Sequence, residues 1–163
     1  MTAIVGLFGK LPAHGDFVRR GLPGAVVAGL DDWLQTELSR AADPSAVIAA
    51  MPPVRFASTA LLDGYHAVGV MVSSSDSVGR DFPLVAVALS GQNDTDASDA
   101  STVGDCDVWS AAAEAALIEA RDGGLSADQV FAGLVALPAT TGGASAELPR
   151  GEDFDRLIMQ RVA

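Results

Sequence analysis

Lysine, histidine, aspartate and arginine crowd two short runs, Gly9-Lys10-Leu11-Pro12-Ala13-His14-Gly15-Asp16-Phe17 and Val78-Gly79-Arg80-Asp81-Phe82-Pro83-Leu84. Both mix charge with glycine, proline and an aromatic ring, and both sit where apolar stretches end or begin. Such residues can bind phosphate, activate a nucleophile or contact a charged partner. Gly6-Leu7-Phe8-Gly9-Lys10-Leu11 invites the phosphate-loop reading, but its glycines are too close together, Leu11 takes the place of the magnesium-binding hydroxyl, and proline follows where a helix should start. ATP or GTP hydrolysis therefore has no machinery here.

Hydrolysis by a serine triad fares no better. Ser73, Ser74, Ser75 and Ser77 surround Asp76, with His14 and His66 as the available bases, but no spacing brings a histidine to a nucleophile and there is no nucleophile elbow. His14 reads as a loop hydrogen-bonder, His66 as a half-buried strand residue, and the serines as turn formers bonding backbone amides. Asp94, Asp96, Asp99, Asp105 and Asp107 miss the calcium-loop spacing and read as a solvated acidic loop. No metal, cofactor or catalytic residue is implied, and the chain reads as a non-enzyme.

Within the two runs, Gly15 and Gly79 are expected to adopt backbone conformations closed to other residues, and Phe17 and Phe82 to anchor their loops in the core. Asp16 has two readings, an ion pair with Arg80 or Arg19 that locks the loops, or direct contact with a partner. Trp33 lies on an apolar helical stripe and belongs to the core.

The elements that must position these residues follow from periodicity. Ala3 to Phe8 reads as a buried strand and Lys10 to Pro23 as a loop punctuated by Pro12, Gly15, Gly21 and Pro23. Val26, Val27, Leu30, Trp33, Leu34 and Leu38 mark an amphipathic helix within 24–42, with Asp31, Asp32, Gln35 and Glu37 outward. Asp43-Pro44 caps a short helix to Ala50. Val54 to Leu62 and Tyr65 to Val72 form a hairpin about Asp63-Gly64, and Pro83 to Leu89 is a strand buried on both faces. Gly91 to Asp107 reads as a mobile polar loop, Val108 to Asp122 as a helix capped by Asp107, and Ser126 with Gln129 as a capping box opening a helix to about Leu137. Thr140 to Ser145 is linker-like, and Glu152 to Val162 is equally compatible with helix or strand. The expected fold is α+β, one domain over 1–163 with its motifs in 1–90 and a helical, variable part in 105–163. Its mainly antiparallel sheet of about four to six strands packs with helices in an α/β sandwich-like arrangement.

Size and charge narrow the function. The 163 residues fit one domain, and a hydrophobic fraction of 49% is ample for a core. A net charge of −11 opposes generic binding to nucleic acid or anionic lipid. Against that background Lys10, the chain's one lysine, joins Arg19, Arg20 and Arg80 in or beside the two runs. Cys106 is the only cysteine, which rules out an intrachain disulfide and suits a reducing compartment. The N-terminal residues lack a basic leader and an apolar span, so a cytoplasmic protein without membrane insertion is expected.

Taken in order, Gly9 to Pro12, Gly15 to Phe17 with Arg19 and Arg20, Trp33-Leu34-Gln35, Arg55-Phe56, and Ser74 through Leu84 resemble the TagF (ImpM) family associated with type VI secretion. The likeness covers roughly the first half of the chain. It departs at Val54, where a tryptophan is often found, and at Asp81, where an aromatic residue is common. The resemblance implies a cytoplasmic, post-translational repressor of type VI secretion that acts by protein–protein binding and is linked to the forkhead-associated scaffold protein Fha. In that family repression opposes activation by a threonine kinase and its partner phosphatase; some members carry a phosphatase domain, for which this length leaves no room. On this reading the two runs lie side by side at one edge of the sheet and form a partner-binding surface from Lys10, His14, Asp16, Arg19, Arg20, Asp76 and Arg80. Gly9, Pro12, Gly15, Phe17, Trp33, Gly79, Phe82 and Pro83 support it. The alternative is a small-anion or nucleotide sensor using Lys10, Arg19 and Arg80.

Overall fold

The computed structural model describes residues 4–62, 65–90 and 101–137 together with Glu152, Phe154 and Asp155, and at 57–62, 90 and 101–107 it describes the backbone alone. In chain order the elements are β1 (Ile4–Gly9), β2 (Val18–Arg20), α1 (Gly24–Leu38), α2 (Pro44–Ala50), β3 (Val54–Leu62), β4 (Tyr65–Val72), β5 (Leu84–Ser90), α3 (Ser101–Gly123) and α4 (Ala127–Ala136). The strands form one five-stranded sheet in the order β2-β1-β5-β4-β3. Every pairing is antiparallel.

Alternation along the strands decides which helix covers which face. In the central strand β5, Val85, Val87 and Leu89 point to one face, where α1 supplies Val26, Leu30, Trp33 and Leu34 and α2 supplies Ile48. Leu84, Ala86 and Ala88 point to the other, against Trp109, Ala113, Leu117 and Ala120 of α3 and Ala127, Val130 and Leu134 of α4. A strand buried on both faces needs the continuous apolar run seen at 84–89. The result is an α/β/α sandwich. Asp43 accepts the Ala46 N–H at 3.2 Å to open α2. Ser126 and Gln129 close the expected capping box on α4.

Several sequence expectations need correction. Val18–Arg20 is a strand rather than loop, because three residues free of glycine and proline lie within reach of the open edge of β1 and pair with Leu7, Phe8 and Gly9. The helix α3 starts at Ser101, so 101–107 are helical and Asp107 is not its cap; extending a packed helix by about two turns costs far less than nucleating one, even through poor helix formers. Glu37 is buried instead of outward. Among the tail residues, Glu152, Phe154 and Asp155 have helical backbone. The Asp63-Gly64 turn, the linker at 140–145 and Asp94, Asp96 and Asp99 lie outside the described residues.

Two motifs meet inside the α1 face. Phe56 of β3 lies opposite Gly69 of β4, and a Cβ on Gly69 would come within 2.2 Å of its ring. The glycine thus makes the seat on which Phe56 lies, and Trp33 packs above it at 5.3 Å between centroids. Gly69→Ala is expected to lower unfolding free energy by about 1–3 kcal/mol through overpacking. Gly123→Ala, at a helical position with nothing within 4 Å of the added carbon, should raise it by up to about 1 kcal/mol. Urea unfolding of both variants measures the contrast.

Candidate functional site

Because β1 and β5 are antiparallel neighbours, the end of β1 and the start of β5 lie side by side. The β1–β2 connection (10–17) and the β4–β5 connection (73–83) therefore leave the same end of the sheet. The two motif runs do come together, but at the strand ends in the middle of the sheet; the edges are β2 and β3. Their approach is close enough to require glycine at position 9. Gly9 has φ 136°, and a Cβ there would stand 2.1 Å from the Pro83 carbonyl oxygen. Gly79 has φ 90° and turns the second loop, whereas Gly15 adopts no positive φ. What Gly15 supplies is a carbonyl, which accepts from Arg80 Nη2 at 2.8 Å.

Asp76 is the centre of the site. Its side chain is fully buried, with Lys10 Nζ at 3.2 Å and Arg80 Nε at 2.7 Å from Oδ2. Oδ1 accepts the backbone N–H groups of Val78 and Arg80 at 3.0 and 2.9 Å. Burial by itself would raise the carboxyl's pKa. The Arg80 N–H, the Lys10 ammonium, the Val78 N–H and the Arg80 guanidinium outweigh it and hold the group well below the usual carboxylate range. Backbone ties reinforce the junction: Ser74 Oγ donates to the Lys10 carbonyl at 2.7 Å and Ser77 N–H to the His14 carbonyl at 2.8 Å. The Ser74 hydroxyl is thus a donor across the loops, not an acceptor of a turn amide.

Above this lock lies an aromatic cluster. Phe8 and Phe17 stack at 5.7 Å, and Phe82 meets Phe17 edge-on at 4.9 Å. The Lys10 ammonium sits 4.9 Å from the Phe17 ring centre, within cation–π range. Phe82 is buried, but Phe17 is 41% exposed, so it is held against the core without entering it. Val78, at the tip of the other loop, is 72% exposed.

The remaining candidates divide. His14 Nε2 accepts the Ala127 N–H at 2.9 Å, tying the first loop to the start of α4. Arg20 turns away to Asp128 at 2.8 Å. Asp16 accepts the Phe17 N–H at 2.7 Å, so the expected lock through Asp16 belongs to Asp76, whose serine-rich turn aims its carboxylate inward. Lys10 is likewise interior, while Arg19 is exposed and Arg80 keeps 60% of its side chain in solvent. Trp33 is in the core. Sequence reading missed Phe8, hidden in an apolar strand, and Arg121 of α3, which donates to the Ser73 carbonyl and hydroxyl at 3.1 Å. Nothing local marks this role of Arg121, because Ser73 is distant in sequence, while its other partner is the adjacent Asp122. Among the described residues no group of three or more His, Cys, Asp or Glu side chains could hold a metal, and no helix is long and apolar enough to cross a membrane.

Fold and loop architecture place the chain among α/β/α sandwich domains. The crystal structure of PA0076 from Pseudomonas aeruginosa PAO1 superposes with a TM-score of 0.72 at 31% identity, over 85% of this chain and 64% of that one. The family model for the TagF N-terminal domain, type VI secretion system-associated, matches residues 6–137, and the chain belongs to that family. No curated protein matches it.

The depressed pKa of Asp76 fixes a direction for acid sensitivity. A carboxyl whose folded pKa lies below its unfolded value stabilises fully at neutral pH, and that contribution fades as pH falls from about 4 towards the folded value. Asp76→Asn should therefore unfold at lower urea than the wild type near neutral pH, with the gap narrowing as the buffer is taken from about pH 4 to about pH 2. A gap that stays constant across the range would contradict this role.

Proposed function

We propose that the loop end of the sheet is a protein-docking face, and that the chain acts without catalysis as a cytoplasmic, post-translational repressor of type VI secretion by binding the scaffold protein Fha. The observation that carries this is the fixed display of Phe17 and Val78 over a buried ionic lock. An apolar surface held in place by Asp76, Lys10 and Arg80 loses little freedom on binding, so more of its contact energy appears as affinity. Arg19 and the outer part of Arg80 add charge at the rim, where it sets orientation and association rate. Family membership supports the secretion context, and the resemblance supplies the partner.

The arrangement weighs against the anion-sensor reading. Lys10 and Arg80 both end on Asp76, which leaves Arg19 alone of the three cations that reading requires.

Calorimetric titration of the chain into the Fha scaffold tests the proposal. Phe17→Ala and Val78→Asp, with folding verified by circular dichroism, should each weaken binding by about tenfold or more, as expected for residues at the centre of an interface. Val135→Ser, at an exposed position on α4, should leave affinity unchanged. Failure of the wild-type chain to bind would remove Fha as the partner; equal loss in all three variants would remove the loop face.

A further inference from the structure

Two family motifs lie outside the two loops, Trp33-Leu34-Gln35 on α1 and Arg55-Phe56 on β3. Their rings touch each other, and a third ring joins them from the far end of the chain. Phe154, 2% exposed, meets Trp33 edge-on at 5.7 Å. Its neighbour Asp155 accepts from Arg40 Nη2 at 2.8 Å, and Arg40 Nε donates to the buried Glu37 at 3.0 Å. One arginine just past the end of α1 thus reads the carboxylate beside the ring. A cavity of about 240 Å³ remains next to Phe154, bounded by Leu38, Ala41 and Val47 and by Glu37 and Arg40.

The division of labour in this contact is uneven. The Arg40–Asp155 pair is largely in solvent, at 40% and 59% exposure, so it sets register more than it holds. The buried ring carries the attraction. A site with an aromatic seat, a cationic reader one residue further on and room to spare has the properties of a peptide pocket. We propose that the α1–α2 flank is a docking site for an aromatic–acidic residue pair, filled in cis by Phe154–Asp155 and taken in exchange by a partner segment carrying the same pair. The ring of that segment sits on Trp33 and its carboxylate on Arg40.

A synthetic peptide of residues 150–158 serves as the probe. In calorimetry with the 163-residue chain, the Phe154→Ala variant should bind the peptide about tenfold or more tightly than the wild type, whose tethered segment competes at high effective concentration. Asn in place of Asp155 in the peptide, or Arg40→Gln in the protein, should weaken that binding by about threefold, the size expected of a half-exposed ion pair. Equal binding to wild type and Phe154→Ala, or none to a folded Phe154→Ala, would overturn the proposal. Hydrogen exchange on the wild type provides the measurement that does not depend on that variant folding. With peptide at about 1 mM, matching a tethered segment, exchange at 152–156 should rise severalfold while α1 stays protected; unchanged exchange there would overturn the proposal equally.

Discussion

A carboxylate taken out of water must be met by charge and hydrogen-bond donors or it destabilises everything around it. Asp76 is such a group, and the path of both motif loops follows from satisfying it. Two backbone amides from its own turn close on one oxygen, and a lysine and an arginine close on the other. Since Lys10 comes from the other loop, and Arg80 reaches across to the Gly15 carbonyl, the loops cannot separate without stranding a buried charge. Phe17 and Val78 hold their positions because the lock beneath them is fixed.

The rest of the molecule makes this junction possible. The antiparallel order β1-β5-β4 brings two connections to one end of the sheet, and apolar runs on both faces of β5 fasten the helices that brace it. Helix α3 braces the second loop through Arg121 at Ser73, and α4 braces the first through the Ala127 amide at His14. The site is thus supported from the sheet below and from the helical layer at its side.

Much of this was legible in the residues. The period of α1, the alternating strands, the capping box at Ser126 and the apolar run of β5 are local patterns, and local physics decides them. What escaped was non-local. Asp16 and Asp76 each have a glycine and an arginine within four residues; only the packed chain shows that Asp76 points inward while Asp16 bonds to the next amide. Val18–Arg20 became a strand because β1 offered an unpaired edge. Pairing partners far apart in the chain leave no periodic trace.

The burial of Lys10 has a consequence for covalent chemistry. It is the chain's one lysine, its side chain is 9% exposed and its ammonium is held by Asp76 beneath the Phe17 ring. An acylating reagent needs a clear approach to the amine, and the closed loops deny it. The rate at which this lysine acylates is accordingly a clock for the parting of the two loops, read at a single atom without any label attached to the surface.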